Sequence, residues 1–148
     1  MKYSAVSPHV LLIDEAPDIR DLLHALLEDE GYRVTSKASV QSVATVRELA
    51  PDLIVHDMFF SDPRPRGWEL LRTLRQDPSL AQIPVILCTA DGRVRTNQTI
   101  ARQIQQLALR VVTKPFDLTY FLSVIAVALQ DGRMRTIAPP VDWRSTGT

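Results

Sequence analysis

Five short apolar runs punctuate the chain: VLLI at residues 10–13, YRVT at 32–35, LIV at 53–55, VILC at 85–88 and VVT at 111–113. Four are nearly continuous rather than alternating, the pattern of strands buried on both faces, while 32–35 is the weakest of the set. Between the runs the spacing turns helical. Ile19, Leu22, Leu23, Leu26 and Leu27 form one stripe with Arg20, Asp21, His24 and Glu28 off it, opened by Pro17 and ended by Gly31. Further helices are predicted over residues 40–49, through Val40, Val43, Ala44 and Val46 and stopped by Pro51, and over 68–76, 96–107 and 118–130. In the last, Phe121, Val124, Ile125, Ala128 and Leu129 can face inward, leaving Tyr120 and Val127 on a flank. Strand followed by helix five times over predicts an α/β fold, a doubly wound five-stranded parallel sheet with five helices joined by right-handed crossovers.

With 148 residues, 45% of them hydrophobic, the chain can build one good core. Residues 1–7 read as an N-terminal extension, 8–131 as the folded domain, and 132–148, with Pro139, Pro140 and Trp143 but no periodicity, as a disordered tail. Seventeen Lys and Arg balance seventeen Asp and Glu, so no bulk field draws the chain to nucleic acid or to a membrane surface. No segment approaches the roughly 20 apolar residues of a membrane span, and the lone Cys88 sits in an apolar run as an inert core thiol, suiting a cytoplasmic location.

The chemistry lies where the runs stop. Asp14 and Glu15 close the first, Asp57 the third, Thr89 the fourth and Lys114 the fifth. Carboxyl ends of parallel strands share one edge, the edge where open α/β sheets bind ligands. Three carboxylates gathered there repel, so one stays protonated or a cation joins them; hard oxygen donors without a His or Cys cluster favour Mg²⁺, or Mn²⁺, over zinc. Asp57 then suits the role of nucleophile in phosphoryl transfer, with Thr89 donating a hydrogen bond and Lys114 a compact positive charge to phosphoryl oxygens.

Over about residues 8–131 the stretches VLLIDEAPDIRDLL, PDLIVHD, GWELLRTLRQDPSLAQIPVILCTA and TKPF, in this order, resemble the receiver domain of two-component response regulators. The resemblance implies a flavodoxin-like fold with strand order 2-1-3-4-5 and Mg²⁺ held by Asp14, Glu15, Asp57 and the main-chain carbonyl of Phe59. It implies phosphorylation of Asp57 by a histidine kinase or histidine phosphotransfer protein, Thr89 as switch hydroxyl, Lys114 as phosphate-binding lysine and a cis peptide before Pro115. Such a protein signals rather than catalyses, passing its state to a downstream protein by contact. A homodimer through the fourth helix, fifth strand and fifth helix fits the apolar flank, and Arg93, Arg95 and Arg102 could meet acids across it. On this reading the chain is a stand-alone regulator without an output domain.

Several positions depart from the family pattern. Glu15 replaces an aspartate, the loop after Asp57 is longer and carries Ser61, Arg64 and Arg66, and Phe59 and Asp91 occupy positions that tune the acyl phosphate's lifetime. Val111 stands at the switch position usually held by an aromatic, and QLALR replaces a glycine-containing turn before the fifth strand. Two other classes compete. One is a receiver-like interaction module with an impaired switch; the other is an aspartate-nucleophile phosphohydrolase, which would need a second aspartate where Phe59 stands.

Overall fold

In the computed structural model, residues 7–58 and 66–137 are described. Their elements follow as β1 (His9–Ile13), α1 (Pro17–Asp29), β2 (Arg33–Lys37), α2 (Val43–Leu49), β3 (Leu53–Asp57), α3 (Arg66–Gln76), β4 (Val85–Thr89), α4 (Arg93–Thr96), α5 (Gln98–Gln106), β5 (Arg110–Thr113) and α6 (Leu118–Ile137). All strand pairs are parallel, in the order β2-β1-β3-β4-β5. β1 and β4 are buried throughout and β3 to its last residue, whereas the edge strands β2 and β5 are half-exposed. That edge position explains why residues 32–35 gave the weakest apolar pattern.

Because side chains alternate across each strand, the sheet builds two cores. Leu11, Ile54 and Leu87 meet Val46, Trp68, Leu71, Leu74 and Ile100 from α2, α3 and α5 on one face. On the other, Leu12, Val55 and Ile86 meet Leu23 and Leu27 of α1 and Phe121, Ile125 and Ala128 of α6. Arg75 pins the first layer at its lower end, donating to the carbonyls of Leu107 (2.7 Å), Ala81 (3.0 Å) and Ile83 (2.6 Å). Those carbonyls would otherwise be left at a helix end and in a turn.

Four expectations need correction. The structure has six helices, not five: the helix predicted over 96–107 forms as α5, and an unpredicted short helix, α4, precedes it, the two separated at Asn97, which is extended and whose side chain accepts the Ile100 N–H at 3.1 Å, capping α5. The second helix begins at Val43, after Ser42 caps it by accepting the Ala44 N–H at 3.1 Å, so Val40 packs from outside the helix. On α1 the apolar stripe is only partly covered: Leu23 and Leu27 are buried, but Ile19 and Leu22 are exposed.

α6 does not stop at residue 130, and so residues 132–137 are helix rather than tail. A single glycine costs a helix about 1 kcal/mol without breaking it; Gly132 is followed by no proline before Pro139, and Asp131 pairs with Arg110 of β5. The rest of the predicted tail, with Trp143, and the loop residues Phe59, Ser61 and Arg64 lie outside the described residues.

The turn QLALR before β5 is made without glycine. Ala108 takes the left-handed conformation there, with φ 51°, and the Leu109 N–H closes the end of α5 on the Ile104 carbonyl at 3.0 Å. The inward positions of α6 follow the predicted pattern, with Phe121, Ile125, Ala128 and Leu129 buried, Val124 partly buried and Tyr120 and Val127 about half exposed.

Candidate functional site

The parallel register carries Asp14, Asp57, Thr89 and Lys114 to one edge. Asp57 is paired in register with Cys88, one residue before Thr89, and Thr89 with Thr113, one residue before Lys114. Asp57 and Lys114 meet directly, Nζ to Oδ1 at 3.0 Å, each with about a quarter of its side chain exposed. The Lys114 N–H donates to the Thr89 carbonyl at 2.7 Å, and the Lys114–Pro115 peptide is cis.

Asp14 lies behind this pair and is buried. Burial pushes its carboxyl above the ordinary carboxylate value, and the negative charge of Asp57 and a hydrogen bond between the two carboxyls push the same way; the Ala16 N–H, donated to Oδ1 at 2.9 Å, and the Lys114 charge oppose them. The backbone of Asp14 is fixed as well. Its N–H donates to the Lys37 carbonyl at 3.0 Å, and its carbonyl accepts from Arg20 Nη1 at 2.8 Å. α1 starts here with Pro17 at its first position, where no N–H is missed.

Glu15 follows on the exposed side. Among the described residues no three His, Cys, Asp or Glu side chains form a preformed metal-binding group. What does suit a cation is the pair of neighbouring carboxylates, one buried and raised by the other's charge, since a hard divalent ion relieves that repulsion and takes oxygen donors. The Phe59 carbonyl lies outside the described residues.

Thr89 is fully buried, and its Oγ1 accepts the Asp91 N–H at 3.0 Å, leaving the O–H to donate. Asp91 in turn holds Arg93, whose guanidinium contacts both carboxylate oxygens, Nη2 at 2.7 Å from Oδ2. Arg95 Nη2 donates to Thr113 Oγ1 at 2.9 Å. These arginines thus have intrachain partners, which the sequence reading did not find; side chains two residues apart, or on different elements, leave no periodic signal. Val111 is half-buried and packs on the core formed by α2, α3 and α5.

His56, next to Asp57 on β3, is buried. Its Nδ1 donates to the Asp57 carbonyl at 2.8 Å, which fixes the proton on that nitrogen. Burial pushes its pKa below the ordinary histidine value. Burial likewise pushes the Cys88 thiol up to about 12, so it stays protonated and inert, as its apolar run implied. His9 bridges the Leu49 carbonyl (3.1 Å) and Thr35 Oγ1 (2.7 Å), a structural tie.

An acid pair, a paired lysine and a buried hydroxyl at the carboxyl edge of a 2-1-3-4-5 sheet define a phosphoacceptor-type α/β module. The family model described as the response regulator receiver domain matches residues 10–126, and the chain belongs to that family, whose members act in two-component signalling. Among its relatives, the DNA-binding dual master transcriptional regulator RpaA of Synechocystis is 33% identical over 83% of this chain and 49% of its own length. A 14.6 kDa protein of Leptolyngbya boryana is 37% identical over 63% of this chain and 70% of its own. The chemotaxis response regulator CheY4 of Vibrio cholerae shares the fold with a TM-score of 0.69 at 21% identity, over 83% of this chain and 99% of that one. The chain spans about half or less of the length of the first curated relatives it matches. Among the described residues no helix is long and apolar enough to cross a membrane.

Proposed function

We propose that Asp57 is the phosphoacceptor of this receiver, taking a phosphoryl group from a phosphohistidine on a histidine kinase or histidine phosphotransfer protein in the cytoplasm. A carboxylate oxygen of Asp57 attacks phosphorus, the P–N bond of the phosphohistidine breaks, and the freed imidazole takes a proton. The observation that carries this reading is the 3.0 Å pair between Lys114 Nζ and Asp57 Oδ1, set beside the buried Asp14 carboxyl. Lys114 would move its charge from the carboxylate onto a phosphoryl oxygen, and Thr89, whose hydroxyl proton is left to donate, would hold another.

Asp14 and Asp57, with Glu15 turned inward and the Phe59 carbonyl, would hold Mg²⁺, whose positive charge neutralises the carboxylates and attracts the phosphoryl oxygens. The resulting acyl phosphate biases one of two conformations through its contacts with Thr89 and Lys114, and the output is contact with a downstream protein. Exposed Tyr120 and Val127 on α6 support a second copy as one such contact.

The test is incubation with acetyl phosphate and Mg²⁺ followed by intact mass. The wild type gains about 80 Da, the mass of one phosphoryl group on a covalent nucleophile, and Asp57→Ala gains nothing. An equal gain in the variant removes Asp57 from the role. Omitting Mg²⁺ slows the reaction of the wild type, and Lys114→Ala slows it with Mg²⁺ present.

A further inference from the structure

β3 is held unevenly at its reactive end. Its pairing with β1 stops at Ile13 opposite His56, whereas its pairing with β4 runs on to Asp57 opposite Cys88. The Ile54 and Met58 N–H groups donate to the Pro84 and Cys88 carbonyls at 3.0 and 3.1 Å. Even-numbered residues of β3 thus turn their backbone groups toward β4, and Asp57 turns its own toward β1. There the ladder has already ended, one residue short of Asp57. The carbonyl of Asp57 needs a donor from elsewhere.

His56 supplies it. Its Nδ1 lies 2.8 Å from the Asp57 carbonyl oxygen, and since a carbonyl only accepts, that nitrogen carries the proton. The ring has little freedom, being buried, with its register partners Ile13 and Leu87 in the layer that packs on α2, α3 and α5. One peptide unit is therefore pinned from two sides: its C=O by the His56 ring, and its N–H, that of Met58, by the Cys88 carbonyl. With that plane fixed, the Asp57 Cα cannot turn, and its carboxylate keeps one direction, toward Lys114 Nζ at 3.0 Å.

We propose that His56 is a positioning residue for Asp57, holding the peptide between residues 57 and 58 so that the carboxylate is presented in line to the incoming phosphorus. This rests on the phosphoacceptor reading above and adds a second residue of β3 behind the nucleophile. In this role His56 touches neither the phosphoryl group nor a cation and transfers no proton. It narrows the directions from which the carboxylate oxygen starts its attack, and attack is steeply sensitive to such alignment. A leucine would fill the same buried place without the cost of desolvating an imidazole, so packing alone does not account for the histidine.

The test is a series at position 56 in the full chain, phosphorylated by acetyl phosphate with Mg²⁺ and followed by intact mass, with the melting temperature of each variant. His56→Asn puts an amide N–H where Nδ1 stands but leaves volume unfilled. His56→Gln and His56→Leu keep more of the volume and place no donor there. The Asn variant is expected to react within about twofold of the wild-type rate, and the Gln and Leu variants roughly three- to tenfold more slowly, the worth of one hydrogen bond. Melting temperatures run the other way, lowest for Asn. A side chain that only packs gives rates in the order of the melting temperatures.

A Gln variant as fast as wild type overturns the proposal, and so does an Asn variant as slow as Gln; these two decide the matter even where the Leu variant does not fold. A wild type that gains no mass from acetyl phosphate overturns the phosphoacceptor reading instead, and that measurement tells the two failures apart.

Discussion

α1 and the α4–α5 pair both follow strands that end in site residues, yet they are built differently. α1 is thirteen unbroken residues, seated by buried Leu23 and Leu27 and ended by Gly31 at φ 94°. Its amino end sits against Asp14 through the Ala16 N–H and Arg20. α4 carries no fully buried residue, is cut from α5 at Asn97, and is attached through Asp91 and Thr113, with partly buried Val94 against the core. Apolar burial is non-directional and costly to undo, whereas a few partly exposed hydrogen bonds exchange readily. The acidic side of the site is therefore backed by a helix seated on buried leucines, and the side bearing Thr89 and Lys114, itself on buried β4 and on β5, by a short helix with weaker packing. That division suits the proposed function, in which a cation is held at one end and a phosphoryl group is received at the other.

The largest effect that can break this comparison is truncation of the two helices. Leu27→Ala is expected to cost about 2–5 kcal/mol in urea unfolding, and Val94→Ala about 1 kcal/mol or less. Equal costs would mean that α4 is packed as firmly as α1.

The second prediction concerns the acidic side. Asp14→Asn is expected to stabilise the Mg²⁺-free protein at pH 7 by about 1 kcal/mol, the scale of a single buried-charge change, and to abolish the rise in melting temperature on adding Mg²⁺. The folded pKa of Asp14 is raised, so its contribution is fully present below the unfolded value of 3.8 and is lost as pH rises through the folded one. The advantage of the variant accordingly shrinks in acid. A variant no more stable than wild type at neutral pH would show that Asp14 is already compensated.

Third, Asn97→Ala removes the cap of α5 and should cost about 1 kcal/mol. A loss near zero would show that α4 and α5 merge into one helix when the asparagine is gone, which a rise in far-ultraviolet helicity would confirm.

The smallest effect over the neutral range belongs to His56. Its folded pKa is lowered, so the unfolded chain takes up a proton first, near 6.5, and stability falls as pH drops through that value toward the folded one. The slope is bounded at about 1.4 kcal/mol per pH unit for one proton. It should be absent in His56→Gln, compared by chemical unfolding at pH 7 and pH 5.5.

Much of this was legible in the one-dimensional pattern. Continuous apolar runs ending on Asp14, Asp57, Thr89 and Lys114 point to a parallel sheet with a shared reactive edge, because burial on both faces admits few polar residues until a strand ends. The inward face of α6 was legible for the same reason, as Phe121, Ile125 and Ala128 recur at helical spacing. Periodicity did not reveal where an apolar stripe is left uncovered, as at Ile19 and Leu22, since that depends on what packs against it.

The sequence by itself determined the order of the strands, the two buried layers and which polar residues close the strands, because local propensity and burial are written into residue type and spacing. Only the tertiary structure decided that Lys114 pairs with Asp57, that Asp14 lies buried beside it, and that Arg93 and Arg95 brace α4 against Asp91 and Thr113. The break at Asn97 belongs with these. Such contacts join residues distant in the chain or set by rotamer and hinge, and electrostatic partners of this kind depend on distances in space that no periodicity records.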